Sequence, residues 1–170
     1  MTRPQSGLEF ERFVADSVDE LLRTAYLIVW DEAEAEDLVQ ESFIKVAKRW
    51  PRVRTMERPQ AYIRRVLVNL ALDGRKRRVR WRQELGREPP LDVTDDSSAR
   101  DLSRVDARHE LLCALATLPP RQRAVLVLRY LADLPEAQVA EALGCSVGTV
   151  KSSASRALER LEQALRPVPT

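Results

Sequence analysis

The sequence predicts an all-α fold of two small helical domains joined by a flexible acidic linker. Three observations predict it. Aromatic residues are only 5% of the chain and Gly numbers 5, while Leu, Ala, Arg, Glu and Val dominate, a balance that favours helices over sheets. Apolar residues recur at three- and four-residue steps in two separate stretches, before about residue 82 and after about residue 109. Between them the periodicity vanishes in a polar, acidic, Pro-interrupted segment. The predicted boundaries are a first domain over 1–82, a linker over 83–108 and a second domain over 109–170.

In the first domain, Leu8, Phe13, Val14, Val18, Leu21, Leu22, Ala25, Tyr26 and Val29 lie on one helical face. Asp31–Glu36 interrupts the chain and opens a second helix, whose acidic first turn suits the helix dipole. Leu38, Val39, Phe43, Val46, Ala47 and Trp50 form its apolar stripe. Pro59 suits a first helical turn, and Ile63, Val66, Leu67, Leu70 and Ala71 lead into the basic run Arg75–Arg82, with Gly74 expected to loosen the helix. In the second domain, Leu111, Leu112, Leu115 and Leu118 mark a helix stopped by Pro119-Pro120, and Ala124, Val125, Leu128 and Leu131 another, stopped near Asp133. Val139, Ala140 and Leu143 then lead to Gly144, which fits a left-handed cap. Ser146 can cap the last helix, which buries Val150, Ala154, Ala157, Leu158, Leu161 and Leu165. Helix, glycine turn, helix is the outline of a helix-turn-helix.

Charge is distributed unevenly. The net charge is only +2, yet residues 52–82 hold 11 basic against 2 acidic side chains and residues 1–51 hold 6 against 11. A block of +9 beside one of −5 points to a polyanion for the positive part, against the plainer reading of a solvated helix face. One His (His109) and two distant Cys (Cys113 and Cys145) cannot build a His/Cys metal cage, so no metal or other cofactor is expected. The thiols, and the lack of a charged-then-apolar leader in Met1–Phe10, predict a reducing cytoplasm. The best apolar runs, Ala25–Trp30 and Ala124–Leu128, fall far short of the roughly 20 residues a bilayer requires, so no membrane partner is expected. Nor is there a glycine-rich phosphate loop or a Ser/His/Asp set, so catalysis is not expected.

Nucleic-acid chemistry remains. Val147, Gly148, Thr149, Lys151, Ser152, Ser155 and Arg156 are the outward residues of the last helix's first turns, where a major-groove reader makes its contacts. Asn69 interrupts an apolar stretch and could hydrogen-bond an unpaired base edge, and Trp81 offers a stacking face. Each also has an ordinary packing role open to it.

Four segments carry a family resemblance: Glu36–Ala47, Pro59–Asp73, Leu118–Tyr130 and Gly144–Ser152. In this order, around an acidic linker, they resemble the group IV, extracytoplasmic-function sigma factors of bacterial RNA polymerase. The short length and the Arg-rich Arg77–Arg82 stretch look most like the actinobacterial SigE-type subgroup. The resemblance implies a promoter-specificity subunit that binds core polymerase through its clamp coiled coil and flap and assists melting. It makes the first domain sigma domain 2, with Asp37, Leu38, Gln40, Glu41 and Phe43 on the polymerase clamp. It places Arg64, Arg65, Asn69, Arg75, Lys76 and Arg77 on the single-stranded −10 element. The second becomes sigma domain 4, with Thr149, Lys151, Ser152, Ser155 and Arg156 on the duplex −35 element. An anti-sigma factor is a common partner in the family. Pro135, Ser153 and Asp73 depart from its pattern, so the promoter sequence does not carry over. The competing expectation is a stand-alone helix-turn-helix regulator; a third is a metal-dependent nucleic-acid-processing enzyme.

Overall fold

In the computed structural model, residues 4–85 and 102–166 are described, with side chains for 6–74 and 107–166. All regular structure among them is helical. Helix α1 (Pro4–Val29) is followed by α2 (Glu32–Ala47), the single turn α3 (Trp50–Val53) and α4 (Pro59–Leu85). The second half contains α5 (Leu102–Thr117), α6 (Pro120–Leu126), α7 (Glu136–Leu143) and α8 (Val147–Leu165). Helical backbone therefore extends three residues past Arg82 and resumes at Leu102, inside the interval expected to be linker.

The apolar stripes meet as their spacing requires. Helices α1, α2 and α4 pack on one another through Phe13, Leu21, Ala25, Ile28, Val39, Val46, Ile63, Leu67 and Val68. Leu67 is fully buried, so truncating it to Ala removes contacts and leaves a void costing about 2–5 kcal/mol. Phe10, Phe13, Phe43 and Trp50 form an aromatic cluster, with Trp50 lying 5.1 Å edge-on from Phe10. The Trp50 indole donates to the Ser6 carbonyl at 3.2 Å, tying α3 to the start of α1.

Local chemistry sets the helix ends. Asp31 caps α2 by accepting from the Glu34 amide at 2.7 Å, and Glu32 and Glu34 occupy the dipole-favoured first turn. Helix α4 runs through Gly74 without a break. The helix beginning at Pro120 widens into a π-helical turn over Val127–Leu131, closed by the Ala132 amide on the Val127 carbonyl at 2.9 Å. Gly144 takes φ +62° after α7, and the Cys145 amide reaches back to the Ala140 carbonyl at 3.0 Å, which is the Schellman pattern. Pro135 begins α7 without a side-chain cap, as its missing acceptor predicts.

The two halves touch. Val139, Ala140, Ala142 and Leu143 of α7 share a core with Ile63, Leu67 and Val68 of α4. Trp30, at the end of α1, packs against the second cluster, made by Leu115, Leu118, Leu126 and Ala157. Trp30 has φ +61°, a left-handed conformation that costs a side-chain-bearing residue about 1–2 kcal/mol. That bend turns the chain from α1 into α2.

Candidate nucleic-acid and partner interfaces

Ser146 begins α8 by accepting from the Thr149 amide at 3.1 Å. Val150 at 1% exposure and Ala157 at 0% pin the helix inward. This fixes its rotation, and Val147, Gly148, Thr149, Lys151, Ser152, Ser155 and Arg156 all come out exposed on the first turns. Their partners are local. Ser152 donates to the Thr149 carbonyl at 3.1 Å, the Thr149 and Ser146 hydroxyls lie 2.9 Å apart, and Lys151 sits 3.7 Å from Glu136 on α7. Arg156 makes no hydrogen bond or ion pair among the described residues, so its guanidinium can fork onto a guanine edge or a phosphate.

On α4, Arg65 and Asn69 lie four residues apart and both are exposed, with Asp73 continuing the row. Arg64 is different. Its side chain is 11% exposed and its guanidinium is 2.6 Å from Glu20 of α1, so it ties two helices together and is not on the exposed face. The sequence held a signal for this. Position 64 lies three after Ala61 and four before Val68, both buried, so it falls on the core stripe, one helical step away from Arg65. Arg75, Lys76 and Arg77 belong to α4, but their side chains lie outside the described residues.

On α2, Asp37, Gln40 and Glu41 are exposed and Phe43 is half-buried. Leu38 is 8% exposed and belongs to the core, as its spacing in the apolar stripe implied, whereas the resemblance also put it at the polymerase contact. Sequence reasoning missed Ile44, which is 48% exposed beside Gln40 and Glu41. Its only sequence signal was an apolar residue one step beyond the stripe. Ile44 and Phe43 border an apolar groove of about 390 Å³ whose α1 wall is Phe10, Val14, Val18 and Leu22. Glu41 pairs with Lys45 at 3.3 Å on the helix surface.

A buried cation was missed as well. Arg123 is 1% exposed and donates to four carbonyls: Leu115 at 3.0 Å, Ala116 at 2.8 Å, Leu118 at 2.9 Å and Ile28 at 2.8 Å. Three of these belong to the end of α5 and the turn after it, and the fourth to the last turn of α1. Helix C-termini leave carbonyls without internal partners and carry partial negative charge, so a planar five-donor cation suits them.

Among the described residues, no group of three or more His, Cys, Asp or Glu is placed to hold a metal, and no helix is long and apolar enough to cross a membrane.

Comparison with known proteins agrees with this geometry. Residues 13–82 match Sigma-70 region 2, and residues 108–161 match Sigma-70, region 4. The RNA polymerase sigma-E factor of Streptomyces avermitilis is 38% identical over 159 residues, covering 93% of this chain and 86% of that protein. The ECF RNA polymerase sigma factor SigG of Mycobacterium tuberculosis is 33% identical over 171 residues, covering 87% of this chain and 46% of that protein. Among solved structures, the sigma factor RpoE of Bartonella quintana, in complex with the anti-sigma factor NepR, aligns with a TM-score of 0.74 at 24% identity, covering 92% of this chain and 96% of that one. CnrH, in complex with the cytosolic domain of CnrY, aligns at 0.62 and 22%, covering 92% of this chain and 86% of that one. At those identities the structural likeness speaks for the fold. Both halves match in order, which a stand-alone helix-turn-helix regulator would not require. The chain belongs to the ECF RNA polymerase sigma factors, transcription initiation factors that direct RNA polymerase to promoters, and stands with the actinobacterial sigma-E proteins.

Proposed function

We propose that the chain divides promoter recognition between two faces. Residues 109–170 read the −35 element as duplex through Thr149, Lys151, Ser152, Ser155 and Arg156. Residues 1–82 grip the polymerase clamp through Asp37, Gln40, Glu41 and the Phe43–Ile44 edge, and hold the melted −10 strand with Asn69, Arg65 and the Arg75–Arg77 run. Residues 83–108 connect them. The observation that carries this reading is the rotation of α8: Val150 and Ala157 face the core, and every proposed reading residue is exposed. Major-groove recognition uses those first turns of a reading helix.

At the −10 element, extruding a base costs a few kcal/mol in lost stacking and pairing. An exposed amide such as Asn69 offsets part of this by pairing with the base edge, while neighbouring cations hold the backbone. The protein itself catalyses nothing in this reading and acts in the cytoplasm, where its polymerase is. The solved RpoE and CnrH structures contain NepR and CnrY, and an anti-sigma partner of that kind is proposed here too.

Holoenzyme carrying Arg156→Ala tests the −35 assignment on promoters with single −35 substitutions. One contact to one base predicts a loss of about 1–3 kcal/mol of discrimination at a single position. Uniform weakening on every sequence would instead make Arg156 a phosphate contact.

A further inference from the structure

We propose that Glu136, the first residue of α7, reads the −35 duplex together with Lys151 of α8, the two side chains forming one donor–acceptor couple that selects a G·C base pair. The couple rests on the proposed assignment of α8 to the −35 element. Among the reading residues of α8 itself, Thr149, Lys151, Ser152, Ser155 and Arg156, no side chain is acceptor-only. The carboxylate comes from the neighbouring helix.

Glu136 Oε2 lies 3.7 Å from Lys151 Nζ, with 36% of the Glu136 side chain and 64% of the Lys151 side chain exposed. Packing fixes this meeting: Val139, Ala140 and Leu143 of α7 and Val150 of α8 are buried in one core, and Gly144 turns the chain between the two helices. At 3.7 Å the contact is longer than a charge-assisted hydrogen bond of about 2.7–2.9 Å, so both groups keep hydrogen-bonding capacity for a third party.

A carboxylate at this place needs a reason. The first helix of a helix-turn-helix crosses the phosphate backbone, where a negative charge opposes binding. The helix dipole favours an acid in the first turn of α7, but it does not account for the reach to Lys151. An exposed ion pair also adds little to stability. Base edges supply the missing match. From one side, G·C shows two acceptors, guanine N7 and O6, and then one donor, the cytosine N4 amine; no other base pair shows that order. Lys151 donates to the guanine and Glu136 accepts from the cytosine, while the opposite charges of the couple cancel most of the repulsion from phosphate. Turning the base pair over sets the amine before Lys151 and a guanine acceptor before Glu136. Like then faces like, and this repulsion discriminates as much as the attraction does.

The test is selection by holoenzyme from a promoter library randomised across the −35 element, with sequencing of the bound DNA. Wild type is expected to favour G·C at one position. Glu136→Ala should flatten that preference by about fivefold or more, and Lys151→Ala should flatten the same position. Arg156→Ala should flatten a different one. The double variant Glu136→Ala with Lys151→Ala should lose less than the product of the single effects, because one base pair serves both side chains. Glu136 and Lys151 are partly exposed, so circular dichroism should keep its helical signal in all variants. Equal strengthening on every sequence in Glu136→Ala would overturn the couple and leave the carboxylate a repeller of phosphate. Flattening at a position other than the one Lys151 reads would overturn it as well. If Arg156→Ala also disturbs no position, the −35 assignment itself falls, and the couple with it.

Discussion

The Arg123 guanidinium in α6 donates at 2.8 Å to the carbonyl of Ile28, 95 residues earlier in the last turn of α1. The same side chain holds the end of α5 through Leu115 and Ala116. One buried cation thereby joins three helices from both halves of the chain.

Arg123→Ala would leave several buried carbonyls without donors. Each unsatisfied group costs about 1–3 kcal/mol, so a loss of about 3–5 kcal/mol in urea unfolding is expected after partial rescue by water. Arg123→Lys should recover little of it, because an ammonium cannot match the planar fork. Unchanged stability in Arg123→Ala would mean that water replaces the guanidinium freely.

On α2, burial separates two kinds of variant. Leu38→Asp places a carboxylate in the core and should unfold the first half, seen as lost cooperativity in thermal melting. Ile44→Asp and Glu41→Arg sit at exposed positions and should keep the melting temperature within a few degrees while weakening core polymerase binding tenfold or more. Full polymerase affinity in both would remove this face from the proposed contact.

Asn69→Ala should spare closed-complex formation and reduce melting, read as lower permanganate reactivity of unpaired thymines. Arg64→Ala should act through the fold instead, because Arg64 is held by Glu20. A drop in thermal stability with promoter selectivity intact is the expected pattern.

Gly144 isolates a backbone effect. A Cβ there would meet nothing within 4 Å, so Gly144→Ala pays only for φ +62°, about 1–2 kcal/mol in denaturant unfolding. A much larger loss would indicate that α7 and α8 change their crossing.

What the sequence made legible was governed by local rules. Gly144 and Ser146 are short-range signals with a physical cause, and both take the conformations those causes require. The outward face of α8 follows from 3.6-residue periodicity once Val150 is turned inward. Arg64 and Arg65 look alike in sequence until burial pairs one of them with Glu20. Leu38 served two expectations at once, and packing places its side chain in the core. The π-helical turn at Val127–Leu131 has no composition that distinguishes it from ordinary helix. Arg123 reads as one more cation in Arg121-Gln122-Arg123, and its role depends on carbonyls of the preceding turn together with that of Ile28, 95 residues away.

The most direct measurement is reconstitution of actinobacterial core RNA polymerase with the purified chain on a library of promoter sequences, followed by sequencing of the transcripts. The predicted result is chain-dependent initiation from one class of promoter sharing −10 and −35 elements, with Arg156→Ala relaxing a single −35 position and Asn69→Ala reducing open complex. Transcription unaffected by the chain, or stimulated without regard to promoter sequence, would contradict the assignment of these two faces to promoter recognition.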